Sequence, residues 1–105
     1  MLDILMRIIA RRTLLAFGAK HPAARPVLLR WATLVHSASW TRMADVTMAL
    51  STAKTVNAER ARFEIAGGDF RLIAAFDFQR QIVFVKFVGT HAEYDRVDAA
   101  SVAQF

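Results

Sequence analysis

The chain has 105 residues, 55% of them hydrophobic, and no cysteine. This composition excludes a disordered chain, disulfide bonds, thiolate metal sites and a cysteine nucleophile, and the length leaves room for one domain over residues 1–105. The net charge of +5 is uneven, because residues 1–42 hold seven basic residues against Asp3 alone, which indicates a polyanionic partner (RNA, DNA or an acidic protein) or else a solvated basic face.

The chain gives no sign of a membrane or export segment. No apolar run reaches the roughly 20 residues needed to cross a bilayer. The first residues make a poor signal peptide, because the apolar block is short and arginines follow it. We therefore predict a cytoplasmic protein without a membrane partner.

The first half of the chain predicts a short strand and then helices. Met6–Ile9 is typical of a strand, and Arg11–Phe17 of a helix ending at Gly18, since glycine commonly follows a helix end. A second helix is predicted to begin between Pro22 and Pro26 and to run to about Ala38. Its expected apolar stripe is Val27, Leu28, Trp31, Leu34 and Val35. Residues 43–50 predict a short third helix.

The second half predicts antiparallel strands. Arg60–Ile65 alternates polar and apolar residues, and a Gly67-Gly68 turn leads into a strand over Phe70–Phe78. After a tight connection at residues 79–80, Gln81–Val88 is the last strand. The tail, Arg96–Phe105, is expected to form a helical turn or to pack loosely. The order predicts an α+β fold with N-terminal helices packed on one face of an antiparallel sheet.

The two turns predict the register of the strands. With the first turn at Gly67-Gly68, Arg71 lies opposite Glu64; with the second at residues 79–80, Ile73 lies opposite Lys86. The polar face is then expected to carry Arg60, Arg62, Glu64, Arg71, Asp77 and Lys86. The core face is expected to carry Ala61, Phe63, Ile65, Phe70, Leu72, Phe76, Phe78, Val83, Val85 and Phe87. The polar face is either a binding surface or a solvated face with weak ion pairs.

The stretch after the last strand predicts a capped helix. Thr90 and Glu93 have the spacing of a capping box, which makes His91 the first helical residue. Tyr94 then lies over the same side of the helix as His91. Because helix N-termini favour anions, this corner beside Lys86 is a candidate anion site.

The candidate residues suit one reaction in particular. Arginine and lysine can hold a phosphate, and histidine is the usual proton shuttle near neutral pH. Without a cofactor or a metal cluster (His21, His36 and His91 lack ligand spacing), the set suits cleavage of RNA by its own 2′-hydroxyl. Tyr94 could hydrogen-bond the phosphate, assist proton transfer or stack on a base. His36 lies off the apolar stripe and is predicted to be a surface residue.

The sequence resembles a known toxin family over about Met6 to Asp98. The resemblance is carried by RIIARRTL at residues 7–14, KHP at 20–22, Trp31, Trp40, ADV at 44–46, RLI at 71–73, VFVKF at 83–87 and VGTHAEYD at 88–95. These motifs are similar to HigB-type toxins, which belong to the RelE-like superfamily of bacterial toxin–antitoxin systems. The resemblance implies a RelE-like α+β fold and an mRNA endonuclease that acts at the ribosome. It also implies a HigA-type helix-turn-helix antitoxin as partner, with DNA bound only through that antitoxin.

The resemblance also implies roles for particular residues. His91 and Tyr94 correspond to the catalytic pair, with Arg71 and Lys86 stabilising the phosphate. Arg60 and Arg62 are weaker candidates for RNA contacts.

Two departures from the family pattern matter. Glu64 stands where relatives often carry a neutral amide, so it is expected to pair with Arg71 and weaken its role. The family usually starts at a Met-Arg pair, here Met6-Arg7, so residues 1–5 are interpreted as an N-terminal extension. The alternatives are an inactive RNA-binding protein of the same fold, or an interaction module whose basic helices bind an acidic antitoxin segment.

Overall fold

The computed structural model describes residues 5–105, which form one five-stranded sheet with helices on one face. The elements are β1 (Arg7–Ile9), α1 (Arg11–Lys20), α2 (Arg25–His36), α3 (Met43–Ala49), β2 (Ala53–Thr55), β3 (Arg60–Ile65), β4 (Phe70–Asp77), β5 (Ile82–Thr90) and α4 (His91–Tyr94). The strand order is β1-β5-β4-β3-β2, with β1 parallel to β5 and the other neighbours antiparallel. The predicted α+β fold is confirmed. The interpretation of residues 1–5 as an extension falls almost entirely outside the described residues.

Helix α1 does not end at Gly18 as the sequence predicts. It continues to Lys20, and Gly18 is buried inside it. A Cβ at position 18 would lie 3.0 Å from the Cβ of Arg25, at the start of α2. The glycine therefore permits the close approach of two helices instead of terminating one.

Helix α2 and the short helix α3 are confirmed, but the buried stripe of α2 is narrower than expected. Leu28, Trp31 and Val35 face the core, whereas Leu34 is 46% exposed. Ala32 occupies the buried position beside Trp31. At 100° per residue the stripe is centred on positions i, i+3, i+4 and i+7, and Leu34 lies at its edge. His36 is exposed, as predicted.

The register of the first hairpin is confirmed, and that of the second holds over half of its length. Arg71 lies opposite Glu64, and the β4–β5 pairing begins as expected with Asp77 opposite Ile82. A β-bulge then shifts the pairing, so that Ile73 lies opposite Phe87. The predicted pairing of Ile73 with Lys86 is wrong, because β5 contains one residue more than β4 in this region.

The bulge changes which residues of β5 face the core. Because one extra residue reverses the alternation, Val88 is buried against the helices, and Phe87 leaves that face. The Phe87 ring instead lies 6.3 Å from the ring of Tyr94. Phe87 was predicted in the core between sheet and helices, and that prediction is wrong.

The core between the helices and the sheet otherwise follows the predicted pattern. Its largest fully buried side chains on the sheet include Phe63, Ile65, Leu72, Val83 and Val85. The edge strand β2 was not predicted; Ala53 in it is buried beside α3, whereas Lys54 and Thr55 are exposed. Among residues 5–105 no helix is long and apolar enough to cross a membrane.

Candidate functional site

The corner where β5 leads into α4 is built by the predicted capping box. The Thr90 hydroxyl accepts the Glu93 N–H at 3.2 Å, and the Thr90 N–H donates to Glu93 Oε1 at 2.8 Å. The His91 N–H donates to the carbonyl of Asp69 at 2.9 Å, which ties α4 to the β3–β4 turn. The Thr90 N–H lowers the pKa of Glu93, with smaller contributions from the Thr90 hydroxyl and the charges of His21 and Arg96, against partial desolvation. Helix α4 is therefore held at His91 by the carbonyl of Asp69 and at Glu93 by the capping box.

Arg71 is the one buried charged residue among residues 5–105, with 8% of its surface exposed. Its Nη1 donates to the carbonyls of Gly68 and Phe70, and its Nε has no acceptor within the described chain. Gly68 has φ +96°, and a Cβ there would lie 3.2 Å from Arg71 Nη1. The glycine turn therefore holds the guanidinium in place while leaving part of its hydrogen-bonding capacity unused.

The Tyr94 ring lies close to two guanidinium groups. The Cζ of Arg71 is 5.8 Å from the ring centroid, and the Cζ of Arg62 is 5.9 Å from it. Both distances are within the range of cation–π attraction. With the Phe87 ring also beside Tyr94, these side chains form a cationic aromatic cluster. We call Arg62, Arg71, Phe87 and Tyr94 the arginine–tyrosine cluster.

Glu64 belongs to this region but does not neutralise the buried arginine. Its Oε1 lies 3.3 Å from Arg62 Nη1, so Glu64 forms an ion pair with Arg62. Arg71 donates to main-chain carbonyls instead. The expected pairing of Glu64 with Arg71 is therefore wrong, although the two residues are opposite each other in the sheet. Arg71 therefore forms no ion pair with a carboxylate of residues 5–105.

His91 is exposed at the start of α4. Its side chain is 54% accessible, and its Nδ1 lies 3.3 Å from Asp95 Oδ2, one helical turn further on. The carboxylate therefore orients the imidazole ring. His91 and Tyr94 are thus presented by the same four-residue helix, with the imidazole in solvent and the phenol ring over the arginines.

Lys86 and Arg60 lie apart from the arginine–tyrosine cluster. The Lys86 Nζ is 5.4 Å from the Phe84 ring centroid, near the bulge. Arg60 Nη1 donates to the carbonyls of Ala99 and Val102 at 3.2 and 2.8 Å, so its guanidinium holds the C-terminal segment. Of the six residues predicted for the site, the structure brings Arg62, Arg71 and Tyr94 together, with His91 on the adjoining helix.

Two contributors to the site were missed in the sequence. Phe87 was assigned to the core because the alternation of β5 gives no sign of the bulge. Asp95 could have been found, since it follows His91 at i+4, the spacing of side chains that meet on a helix. Within residues 5–105 no cluster of three or more His, Asp or Glu side chains is placed to hold a metal ion.

Fold and site together define a small α+β protein with a partly unsatisfied buried arginine, a second arginine and a tyrosine at one corner of its sheet. Guanidinium groups beside an aromatic ring suit a phosphodiester ligand, because they donate several hydrogen bonds to phosphate oxygens.

Residues 24–97, well over half of the chain, match the family HigB_toxin, described as the RelE-like toxic component of a toxin–antitoxin system. The chain belongs to this family and is the toxin of such a system, with an antitoxin as partner. A search of curated protein sequences gave no match.

Proposed function

We propose that the toxin is an endoribonuclease that cleaves mRNA at the ribosome by attack of the RNA 2′-hydroxyl on the neighbouring phosphate. The observation that carries this proposal is the arginine–tyrosine cluster, in which Arg71 is buried, charged and only partly hydrogen-bonded. The substrate supplies its own nucleophile in this reaction, so neither a metal nor a cofactor is required. The protein contributes charge stabilisation and proton transfer.

The arginines stabilise the negative charge of the pentacoordinate phosphorus. The 2′-oxygen forms a bond to phosphorus, the bond to the 5′-oxygen breaks, and a 2′,3′-cyclic phosphate remains. Arg71 donates to a non-bridging oxygen through Nη2, because Nη1 is held by main-chain carbonyls and Nε is buried. Arg62 lies beside the same Tyr94 ring as Arg71 and adds a second positive charge.

The proton transfers are assigned to α4. His91 exchanges the proton of the 2′-hydroxyl or of the 5′-oxygen, and Asp95 is a positioning residue that orients its ring. Tyr94 stacks on a base or donates its hydroxyl to the phosphate. Lys86 contacts the RNA at another nucleotide. It lies three residues before Gly89 in β5, which places it about 10 Å from the corner of the site. Arg60 contacts RNA only where the C-terminal segment has moved away from it.

Membership of the toxin family supports the partners that we propose for the enzyme. The antitoxin is of the HigA type, with a helix-turn-helix that binds DNA, and the toxin reaches DNA only through it. The ribosome presents the mRNA. Toxin and ribosome meet in the cytoplasm, and residues 1–105 act as one domain.

The test is cleavage of a translated reporter mRNA, with 5′ ends mapped, by His91→Gln and Arg71→Lys. We expect sharp cuts from the unchanged toxin. For Arg71→Lys we expect the cleavage rate to fall by about 10²–10³, because lysine keeps the positive charge but lacks the planar guanidinium with its several N–H donors. His36→Gln is the matched control for His91, since His36 is also exposed but lies on α2. Normal cleavage by a folded His91→Gln toxin would remove His91 from the mechanism.

A second candidate is an RNA-binding toxin with little or no cleavage. It is favoured by Glu64, whose carboxylate pairs with Arg62 in the cluster and repels an approaching phosphate. This candidate predicts salt-dependent binding of the reporter RNA with intact 5′ ends. The mapping experiment distinguishes the two.

A further inference from the structure

The positive charge of the toxin is concentrated in the layer of helices. Residues 5–42 contain seven lysines and arginines and no carboxylate, whereas residues 43–105 contain seven basic and eight acidic residues. Helices α1 and α2 pack on the core face of the sheet, and the arginine–tyrosine cluster lies outside that core. The surplus charge therefore belongs to the helical layer, whereas the arginine–tyrosine cluster lies on the other face of the sheet.

An open groove of about 240 Å³ runs between α2 and the loop after α3. Its apolar lining consists of Val27, Trp31, Leu34, Ala49, Leu50 and Ile65. Leu34 is 46% exposed there. Arg30 stands in the groove wall, and Glu64, the acidic residue of the wall, is already paired with Arg62. The unpaired charge of the groove is thus positive.

Trp31 lines the groove and has an unused hydrogen-bond donor. The residue is 4% exposed, and its buried Nε1 has no acceptor among residues 5–105. Buried polar groups in folded proteins nearly always have partners, because an unsatisfied donor is unfavourable. A ligand that offers an oxygen acceptor and apolar side chains satisfies both the donor and the exposed leucine.

We propose that this groove binds an acidic, amphipathic segment of the antitoxin. Apolar residues of the segment cover Leu34, an oxygen atom accepts the Trp31 N–H, and its carboxylates face Arg30 and the basic helices. RNA fits this groove less well, because six of its ten lining residues are apolar and Glu64 forms part of its wall. The proposal depends on the antitoxin that the family implies and does not depend on RNA cleavage.

The direct test follows the two indole N–H signals of ¹⁵N-labelled toxin during titration with the antitoxin encoded beside the toxin gene. Trp31 and Trp40 are the two tryptophans of the chain, and Trp40→Phe assigns their signals. Trp40 packs on Phe76 outside the groove and serves as the internal control. We expect the Trp31 signal to move and its exchange with water to slow while the Trp40 signal stays. A Trp31 signal that is unchanged at saturation would overturn the proposal.

The second test measures antitoxin affinity for Leu34→Glu and for the matched control Leu15→Glu. The two leucines are 46% and 42% exposed on neighbouring helices, and only Leu34 lines the groove. Each variant adds the same negative charge to the helical layer. We expect the Kd to rise at least tenfold for Leu34→Glu and less than threefold for Leu15→Glu, with unchanged thermal unfolding for both.

Other results would assign the groove to a different occupant and reject the proposal. Equal losses in both variants would mean that charge alone attracts the antitoxin. Weaker RNA binding by Leu34→Glu, with antitoxin affinity unchanged, would indicate RNA. Loss of self-association in sedimentation, again with unchanged antitoxin affinity, would indicate a second copy of the toxin.

Discussion

At the scale of single residues, Gly89 shows how closely the site depends on the β-bulge. A Cβ at position 89 would lie 2.6 Å from Cζ of Phe87 and 3.2 Å from Glu93 Oε1. Gly89 also lies opposite Arg71 in the sheet. The absent side chain therefore provides the space in which the Phe87 ring, displaced by the bulge, reaches Tyr94.

We expect Gly89→Ala to destabilise the toxin by about 1–3 kcal/mol, because the ring and the new methyl group cannot both keep their positions. Urea unfolding of the two single variants and the double variant with Phe87→Leu measures the coupling. Leucine has no Cζ, so Gly89→Ala should cost less in the Phe87→Leu background. An equal cost in both backgrounds would show that the contact with Phe87 is not the cause.

The capping box and the β-bulge show which part of the site can be predicted from the sequence. The capping box at Thr90 and Glu93 depends on residue types at a fixed spacing, and it is found as predicted. The bulge depends on how two strands with different numbers of residues fit against the helices, which no local pattern of β5 records. That is why Lys86 and Phe87 were misplaced, whereas the faces of β3 were predicted correctly.

At the scale of elements, the stability that helix α4 gives to the fold depends on pH through Glu93. Because the Thr90 N–H lowers its pKa in the folded protein, Glu93 binds protons less readily when folded than when unfolded. Its stabilising contribution is then complete above the ordinary carboxyl pKa of 4.5 and is lost as the pH falls through the lower, folded value.

Glu93→Gln tests this contribution, because the amide oxygen can still accept the Thr90 N–H but does not titrate. We expect the free energy of unfolding of the unchanged toxin to exceed that of Glu93→Gln above about pH 5, with the difference shrinking as the pH falls below 4.5. Urea unfolding from pH 7 to pH 3 gives the difference directly. A difference that does not vary with pH would contradict the role of the charge.

The C-terminal segment takes the first of its two predicted forms, a helical turn, in which the Val102 N–H donates to Asp98 O at 2.9 Å. The sequence did not predict that the segment would then pair with β5. The Gln104 N–H donates to Lys86 O at 2.9 Å, and Gln104 Oε1 accepts the Val88 N–H at 2.9 Å. With Arg60 bound to Ala99 and Val102, the segment spans from β3 to β5.

We expect Arg60→Gln to loosen this segment, because a neutral amide replaces a charged donor that holds two carbonyls. Hydrogen exchange should become faster at the Val88 and Gln104 amides and stay unchanged in the first hairpin. Arg80→Gln is the matched control, since Arg80 is an exposed arginine paired with Asp77 at the other end of β4. Equal exchange in both variants would show that Arg60 does not anchor the segment.

At the scale of the whole molecule, the toxin has two surfaces that share one sheet. The core side carries the basic helices and the groove at Trp31, and the other side carries the arginine–tyrosine cluster. Sequence periodicity could place helices on one face and arginines on the other. It could not predict that Glu64 would join the groove wall, because that contact arises from packing between β3 and α2, which are distant in sequence. The pair of Glu64 with Arg62 lies within β3 and forms in place of the expected pair with Arg71.

This arrangement predicts that antitoxin binding at the groove and the proposed mRNA cleavage can be removed separately. Arg30→Glu, in the groove, should weaken antitoxin binding at least tenfold and leave the rate of mRNA cleavage within about twofold. Arg71→Lys, in the cluster, should show the reverse, because Arg30 and Arg71 do not line the same site and variants at separate sites act nearly additively. The double variant should therefore show both losses, each equal to that of the single variant. Cleavage lost in Arg30→Glu, or antitoxin binding lost in Arg71→Lys, would mean that antitoxin and RNA use one surface.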